Sequence, residues 1–202
     1  MDDAPAPMPV LLWPTEAVDP CASVFVLALR LDPALPRPQA RAQLRTALRA
    51  ALATRLGLPA EGITLNAAPG QTPRLEGPGT SASIGLSFSH EAGLSLAAVN
   101  LLGPVGLDVV RDETPPDWQA VAQDYLGPQV AAVLQAQEFP AAWAAHEARL
   151  KFHGQALSEW QAEMAQPPWL AACHCQALHL PPGWVGSLAL PAGQQVLGAA
   201  RV

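Results

Sequence analysis

The apolar residues of this chain change period twice in the same order, from extended segments to a helix and back to extended segments, and that duplication restricts the fold more than any other feature. Val10 to Trp13 and Val24 to Leu31 are rich in β-branched and apolar residues and bounded by prolines, which predicts two strands. From Gln39 to Leu56 the leucines fall at 44, 48, 52 and 56, near one face of a helix that Gly57 and Pro59 end. Extended segments follow at Ile63 to Asn66, Ile84 to Ser89, Leu94 to Leu101 and Val105 to Arg111, with a Pro- and Gly-rich loop after the first. A helical stretch from about Asp117 to Gly154, interrupted near Gly127-Pro128 and Pro140, leads to three closing strands: Leu170 to Leu180, Trp184 to Leu190 and Gln195 to Val202. This order predicts an α+β fold of two similar lobes, a pseudo-dimer in which each lobe is a small, mostly antiparallel sheet with helices packed on it. The expected boundary lies near Gly103-Pro104, dividing the chain into 1–103 and 104–202.

The charge balance excludes several classes of partner. With 11 Lys and Arg against 17 Asp and Glu the net charge is −6, so the chain lacks the basic surplus that non-specific nucleic-acid binding needs, and any anionic ligand must be met locally. The longest apolar run, Ala22 to Leu29, is too short to span a bilayer, and the first residues carry no basic start, which predicts a cytoplasmic protein without a membrane segment. Three cysteines, Cys21, Cys173 and Cys175, form no even-numbered disulfide framework, in agreement with a reducing compartment. On a strand, Cys173 and Cys175 would share one face and His174 the other, a poor arrangement for a metal.

Three segments carry candidate chemistry. Leu86-Ser87-Phe88-Ser89-His90 is a strand ending in a hydroxyl and an imidazole, a combination suited to a phosphate but also common in turns. In Pro104-Val105-Gly106-Leu107-Asp108-Val109-Val110 a carboxylate sits inside an apolar strand, where it must be paired, hydrogen-bonded or metal-bound. In the helix from Trp143 to Gly154, Glu147 and Lys151 are four apart on one face, the spacing of a plain surface ion pair as well. Arg41, Arg45 and Arg49 form a basic row beside the leucines of the first helix, which by itself reads as a solvated face.

Together these segments resemble the signature of the 4′-phosphopantetheinyl transferases of the two-lobed, surfactin-synthetase-activating type. That pattern runs as an apolar strand ending in Ser-His, then Gly-x-Asp, then Trp-x-x-Lys-Glu-x-x-x-Lys with a Gly three residues later. Thr72-Pro73 is similar to the end of the family's Gly-Lys-Pro motif, and the resemblance covers about residues 40 to 157. It implies transfer of the phosphopantetheine arm of coenzyme A to a serine of an acyl or peptidyl carrier protein, with Mg²⁺ as cofactor. It further implies Asp108 and Glu147 as metal ligands, Lys151 and Glu147 as catalytic groups, and Ser89 and His90 as holders of the coenzyme A phosphates. Arg49 is then expected at the 3′-phosphate, Pro73 in the loop that passes the adenine, and a monomer as the assembly, since one chain supplies both halves of the cleft.

The pattern departs from the family at several positions. Val110 stands where two-lobed members carry a second acid, His146 replaces the Lys before Glu147, and Glu91 follows Ser-His, adding negative charge where phosphates would lie. The region Tyr125 to Val130 has no carboxylate where many members place a proposed general base. The alternative expectation is a chain that keeps the fold and binds coenzyme A without efficient transfer.

Overall fold

In the computed structural model the described residues are 6–66, 71–77, 83–161 and 172–194. Two four-stranded sheets dominate an α+β architecture. The first sheet is built from β2 (Leu11–Leu12), β3 (Val24–Arg30), β6 (Gly85–Glu91) and β7 (Leu94–Asn100) in the order β2-β3-β7-β6, and α1 (Arg37–Leu56) packs on it. The second comprises β1 (Met8–Pro9), β8 (Gly106–Arg111), β9 (Cys173–His179) and β10 (Trp184–Pro191) in the order β1-β9-β10-β8, with α4 (Phe139–Phe152) packed against it. A short hairpin, β4 (Thr64–Asn66) with β5 (Arg74–Glu76), lies beside α1. Each large sheet thus combines, in chain order, a long strand and a hairpin whose last strand lies in the middle, with a helix between them that packs on the sheet and a two-residue strand at the edge.

Helix α1 begins two residues earlier than the leucine row suggests, because Pro38 falls in the first turn, where its missing N–H costs nothing. Gly57 ends it with φ 65°, a left-handed conformation that suits glycine. Its buried face, with Leu44, Leu48 and Leu52, meets Phe25, Leu27, Leu86, Ala97 and Val99 on one side of the first sheet. The alternate residues Val24, Val26, Ala28, Leu94, Leu96 and Ala98 face the second sheet and pack on Leu107, Val109, Leu178, Leu188 and Leu190. Both faces of β3 and β7 are therefore covered, which is why these strands are apolar almost throughout. Each buried leucine contributes roughly 1.5–3 kcal/mol, and Leu48→Ala would cost about 2–5 kcal/mol.

Near the expected boundary at Gly103-Pro104 the chain passes from the first sheet to the second, and its first strands serve both. Met8–Pro9 pairs in parallel with Leu178–His179 in the second sheet, while Leu11–Leu12 pairs in parallel with Leu27–Ala28 in the first. The strand expected over Val10 to Trp13 is the two-residue β2, a further short strand, β1, precedes it and serves the other sheet, and the core between the sheets is shared. The stretch from 117 to 154 is helical in pieces, with the expected interruption at Gly127-Pro128 and a second that falls over 132–138, ahead of Pro140. It divides into α2 (Trp118–Val121), a π turn (Ala122–Leu126), α3 (Pro128–Ala131) and α4, with Pro128 and Pro140 each in a first turn. The strand β5 was not expected, since three residues between Pro73 and Gly77 give no readable period. The closing strand expected over 195–202 lies outside the described residues.

Candidate functional site

The outer strands of the two sheets, β6 and β8, lie side by side without a backbone ladder between them. Serine hydroxyls fill that role: Ser87 Oγ accepts from Leu107 N at 3.0 Å and Ser89 Oγ accepts from Val109 N at 3.2 Å. The Ser-x-Ser spacing thus satisfies the alternate outward N–H groups of an edge strand. Because Leu107 and Val109 point into the core, Asp108 between them points the other way. Gly106 lets α4 come close, since a Cβ there would overlap the Ala148 carbonyl oxygen and the Phe152 backbone nitrogen. That approach brings Lys151 Nζ to 2.7 Å from Asp108 Oδ1, and Ser89 Oγ donates to the same oxygen at 2.8 Å.

A cleft of about 900 Å³ opens between α1, β6, β8 and α4. Ser89, His90, Asp108, Glu147, Lys151 and Pro73 all line it. Arg49 does not; it is exposed and outside the cleft, whereas Arg37, Arg41 and Arg45 line one wall. A row of residues four apart turns about 40° and climbs about 6 Å at each step, so the row leaves the cleft after Arg45. Glu91 also lines the cleft, but its Oε1 accepts from Ala92 N at 2.7 Å, which ties the carboxylate to the β6–β7 turn. Gly154, at φ 65°, ends the turn after α4 where Thr72 comes near.

Charge is distributed unevenly in this cleft. The arginines occupy the α1 side, and Asp108, Glu147 and Lys151 the β8–α4 side. Burial raises the Glu147 carboxyl above its ordinary range, the nearby Asp108 charge adds to this, and Lys151 and a hydrogen bond with Trp143 oppose it. His90 is lowered to about 4, first by burial and then by Arg41, Arg37, Lys151 and Arg45. Its Nδ1 faces Ser95 Oγ at 2.9 Å. These surroundings favour the uncharged ring at neutral pH. Ser89 Oγ is buried, donates to Asp108 Oδ1 and accepts from Val109 N.

The positions that depart from the family pattern have defined surroundings. Val110 lines the cleft and adds no charge. His146 lies outside the cleft lining, half-buried against Trp143, its ring lowered by burial and by Arg149, and its Nε2 has no hydrogen-bond partner. Tyr125 packs edge-on to Trp143 at 5.6 Å, so an aromatic contact occupies the region without a carboxylate. Cys173 Sγ lies 3.7 Å from His153 Nε2 and Cys175 Sγ 3.6 Å from the Ala145 carbonyl, while His174 turns to the Pro191 carbonyl. Burial raises both thiols. Among the described residues no group of three His, Cys, Asp or Glu side chains is arranged to hold a metal, so Asp108 and Glu147 stand as a pair.

No described helix is long and apolar enough to cross a membrane. In comparison with known proteins, no family model matches the chain and no curated protein matches it.

Proposed function

We propose that this cleft transfers the 4′-phosphopantetheine arm of coenzyme A to a serine of an acyl or peptidyl carrier protein, releasing adenosine 3′,5′-bisphosphate. The observation that carries the reading is the convergence of Asp108, Glu147 and Lys151 on one cleft opposite Arg37, Arg41 and Arg45. In an acidic chain, four of the 11 Lys and Arg side chains line this one cleft, where a polyanion would lie. The repeated strand, helix and hairpin order supports the internal duplication implied by the family resemblance, with the cleft where the two sheets meet.

Arg37, Arg41 and Arg45 would hold the nucleotide phosphates through charge-assisted hydrogen bonds, a role expected earlier of Arg49. Asp108 and Glu147 offer hard oxygen donors, and the unfavourable pairing of their charges is what a cation would relieve. They fit Mg²⁺, which takes a few carboxylates and fills its remaining positions with phosphate oxygens and water. Mg²⁺ supplies neutralisation of charge at the pyrophosphate. The serine oxygen forms a bond to the phosphorus bearing the pantetheine arm as the bond to the leaving nucleotide phosphate breaks. Lys151 stabilises the negative charge that develops there. The serine proton would pass to a water held beside these groups, since Glu147 is committed to the cation and Lys151 to the phosphate. A cytoplasmic location and a monomeric enzyme go with this proposal.

Val110 favours a second reading, in which coenzyme A binds and transfer is inefficient, because β8 then brings a single carboxylate to the cleft. Incubation with coenzyme A, Mg²⁺ and an apo carrier protein, followed by intact mass, separates the two. Addition of one phosphopantetheine group is the expected result. An unchanged carrier with coenzyme A bound selects the second reading, and absence of coenzyme A binding ends both.

A further inference from the structure

Lys151 reaches across the place where Asp108 would meet a cation. Its Nζ lies 2.7 Å from Asp108 Oδ1, 3.4 Å from the Phe88 carbonyl oxygen and 3.5 Å from Ser89 Oγ. The Asp108 side chain is 5% exposed, so its charge has little help from solvent, and the Ser89 hydroxyl takes up the same oxygen. Val110, the next residue on that face of β8, brings no second carboxylate. One strand acid is thus matched by one helix cation.

A divalent cation arriving alone must share Asp108 with an ammonium a few ångströms away, in a partly desolvated cleft where like charges repel strongly. A diphosphate removes that conflict. Its oxygens give Lys151 another anionic partner and free Asp108 Oδ1, while the arginine wall offsets the added negative charge. Glu147, one turn before Lys151 on α4, lines the same cleft and offers the second carboxylate to a cation that arrives with its phosphates.

We propose that Lys151 is the resident counter-ion of Asp108, and that the site therefore binds a divalent cation weakly alone and more tightly together with a diphosphate, the two binding with positive coupling. This rests on the reading above for Asp108 and Glu147 as cation ligands, and is independent of transfer to a carrier protein.

The test uses the full chain and Mn²⁺ as a paramagnetic probe, titrated alone, with ADP and with AMP, and corrected by protein-free titrations for the Mn²⁺ that each nucleotide binds. Mn²⁺ alone is expected to bind weakly, ADP to tighten it about tenfold, within the usual range of coupling between two sites, and AMP to have little effect. Lys151→Met is expected to bind Mn²⁺ alone about tenfold tighter than wild type and to lose the gain from ADP. Lys151→Gln repeats the measurement with a polar side chain, and the wild-type coupling needs no variant at all. Equal Mn²⁺ affinity of the wild type with and without ADP overturns the proposal, even if carrier modification is observed. Failure of both folded Lys151 variants to gain Mn²⁺ affinity overturns it as well. Coupling that persists without any carrier modification supports it and removes only the transferase reading.

Discussion

The Ser89 hydroxyl, on the outer strand of one sheet, donates to the Asp108 carboxylate on the outer strand of the other at 2.8 Å. The same oxygen accepts from Val109 N at 3.2 Å, so one side chain both joins the sheets and orients the buried acid.

Ser89→Ala leaves the Val109 N–H without this acceptor and removes a donor from a buried carboxylate. The expected loss is about 1–3 kcal/mol of unfolding free energy, the usual cost of a buried polar group left unsatisfied. Denaturant unfolding measures it. An unchanged midpoint would show that the joint between β6 and β8 depends on something else.

Glu147→Gln should separate stability from function. The carboxyl is raised above 4.5 by burial and by Asp108, so the folded state holds its proton more tightly than the unfolded chain does. The carboxylate is therefore a burden that is absent at acid pH and complete above its raised value. Without ligand, the variant should melt above wild type near neutral pH, and the difference should shrink as the pH falls towards 4.5. In the same variant, transfer should fall by roughly 10²-fold or more, the scale expected when a cation that stabilises the transition state by several kcal/mol loses one of its two carboxylates. A pH-independent difference in melting temperature would remove the assigned surroundings of Glu147.

His90 offers a direct reading of the cleft's charge. Its ring, lowered to about 4 from 6.5, keeps the stability due to its neutral form above about 6.5 and loses it as the pH falls towards 4, because the unfolded chain takes the proton first. An NMR titration of the imidazole should give a midpoint near 4 in the free protein. Added ADP should move it upward, since the bound phosphates offset the arginines that lower it. A free-protein midpoint near 6.5 would mean that the ring is neither buried nor faced by the arginine wall.

Arg41→Ala and Arg49→Ala test which part of the basic row meets a ligand. Loss of Arg41 should weaken coenzyme A binding about tenfold or more, as expected when a charge-assisted hydrogen bond is lost, and should raise the His90 midpoint. Loss of Arg49 should change neither, because that side chain lies outside the cleft. Calorimetry on both variants checks the difference, and equal losses would return the whole row to one diffuse field.

Much of the local structure could be read from nearby residues. The leucines at 44, 48 and 52 became the buried face of α1, and the residues either side of Asp108 became core. Glu147 and Lys151 were correctly seen to share a helix face, yet the spacing offered Glu147 as the partner of Lys151. The ion pair that forms is with Asp108, distant in sequence, because Gly106 allows α4 to settle onto β8. Spacing within a helix carries no information about a strand that packs on it.

The sequence by itself determined the α+β alternation and the buried face of α1, because periods of two and 3.6 residues follow from backbone geometry alone. Only the tertiary structure decided which arginines reach the cleft, that β1 and β2 serve different sheets, that His90 is neutral, and that Ser89 braces Asp108. Those outcomes depend on how far a helix row turns before it leaves a surface, on which edge strand lies nearest, and on how much water remains around a charge. None of these is set by neighbours along the chain; each follows from packing two sheets and two helices around shared cores.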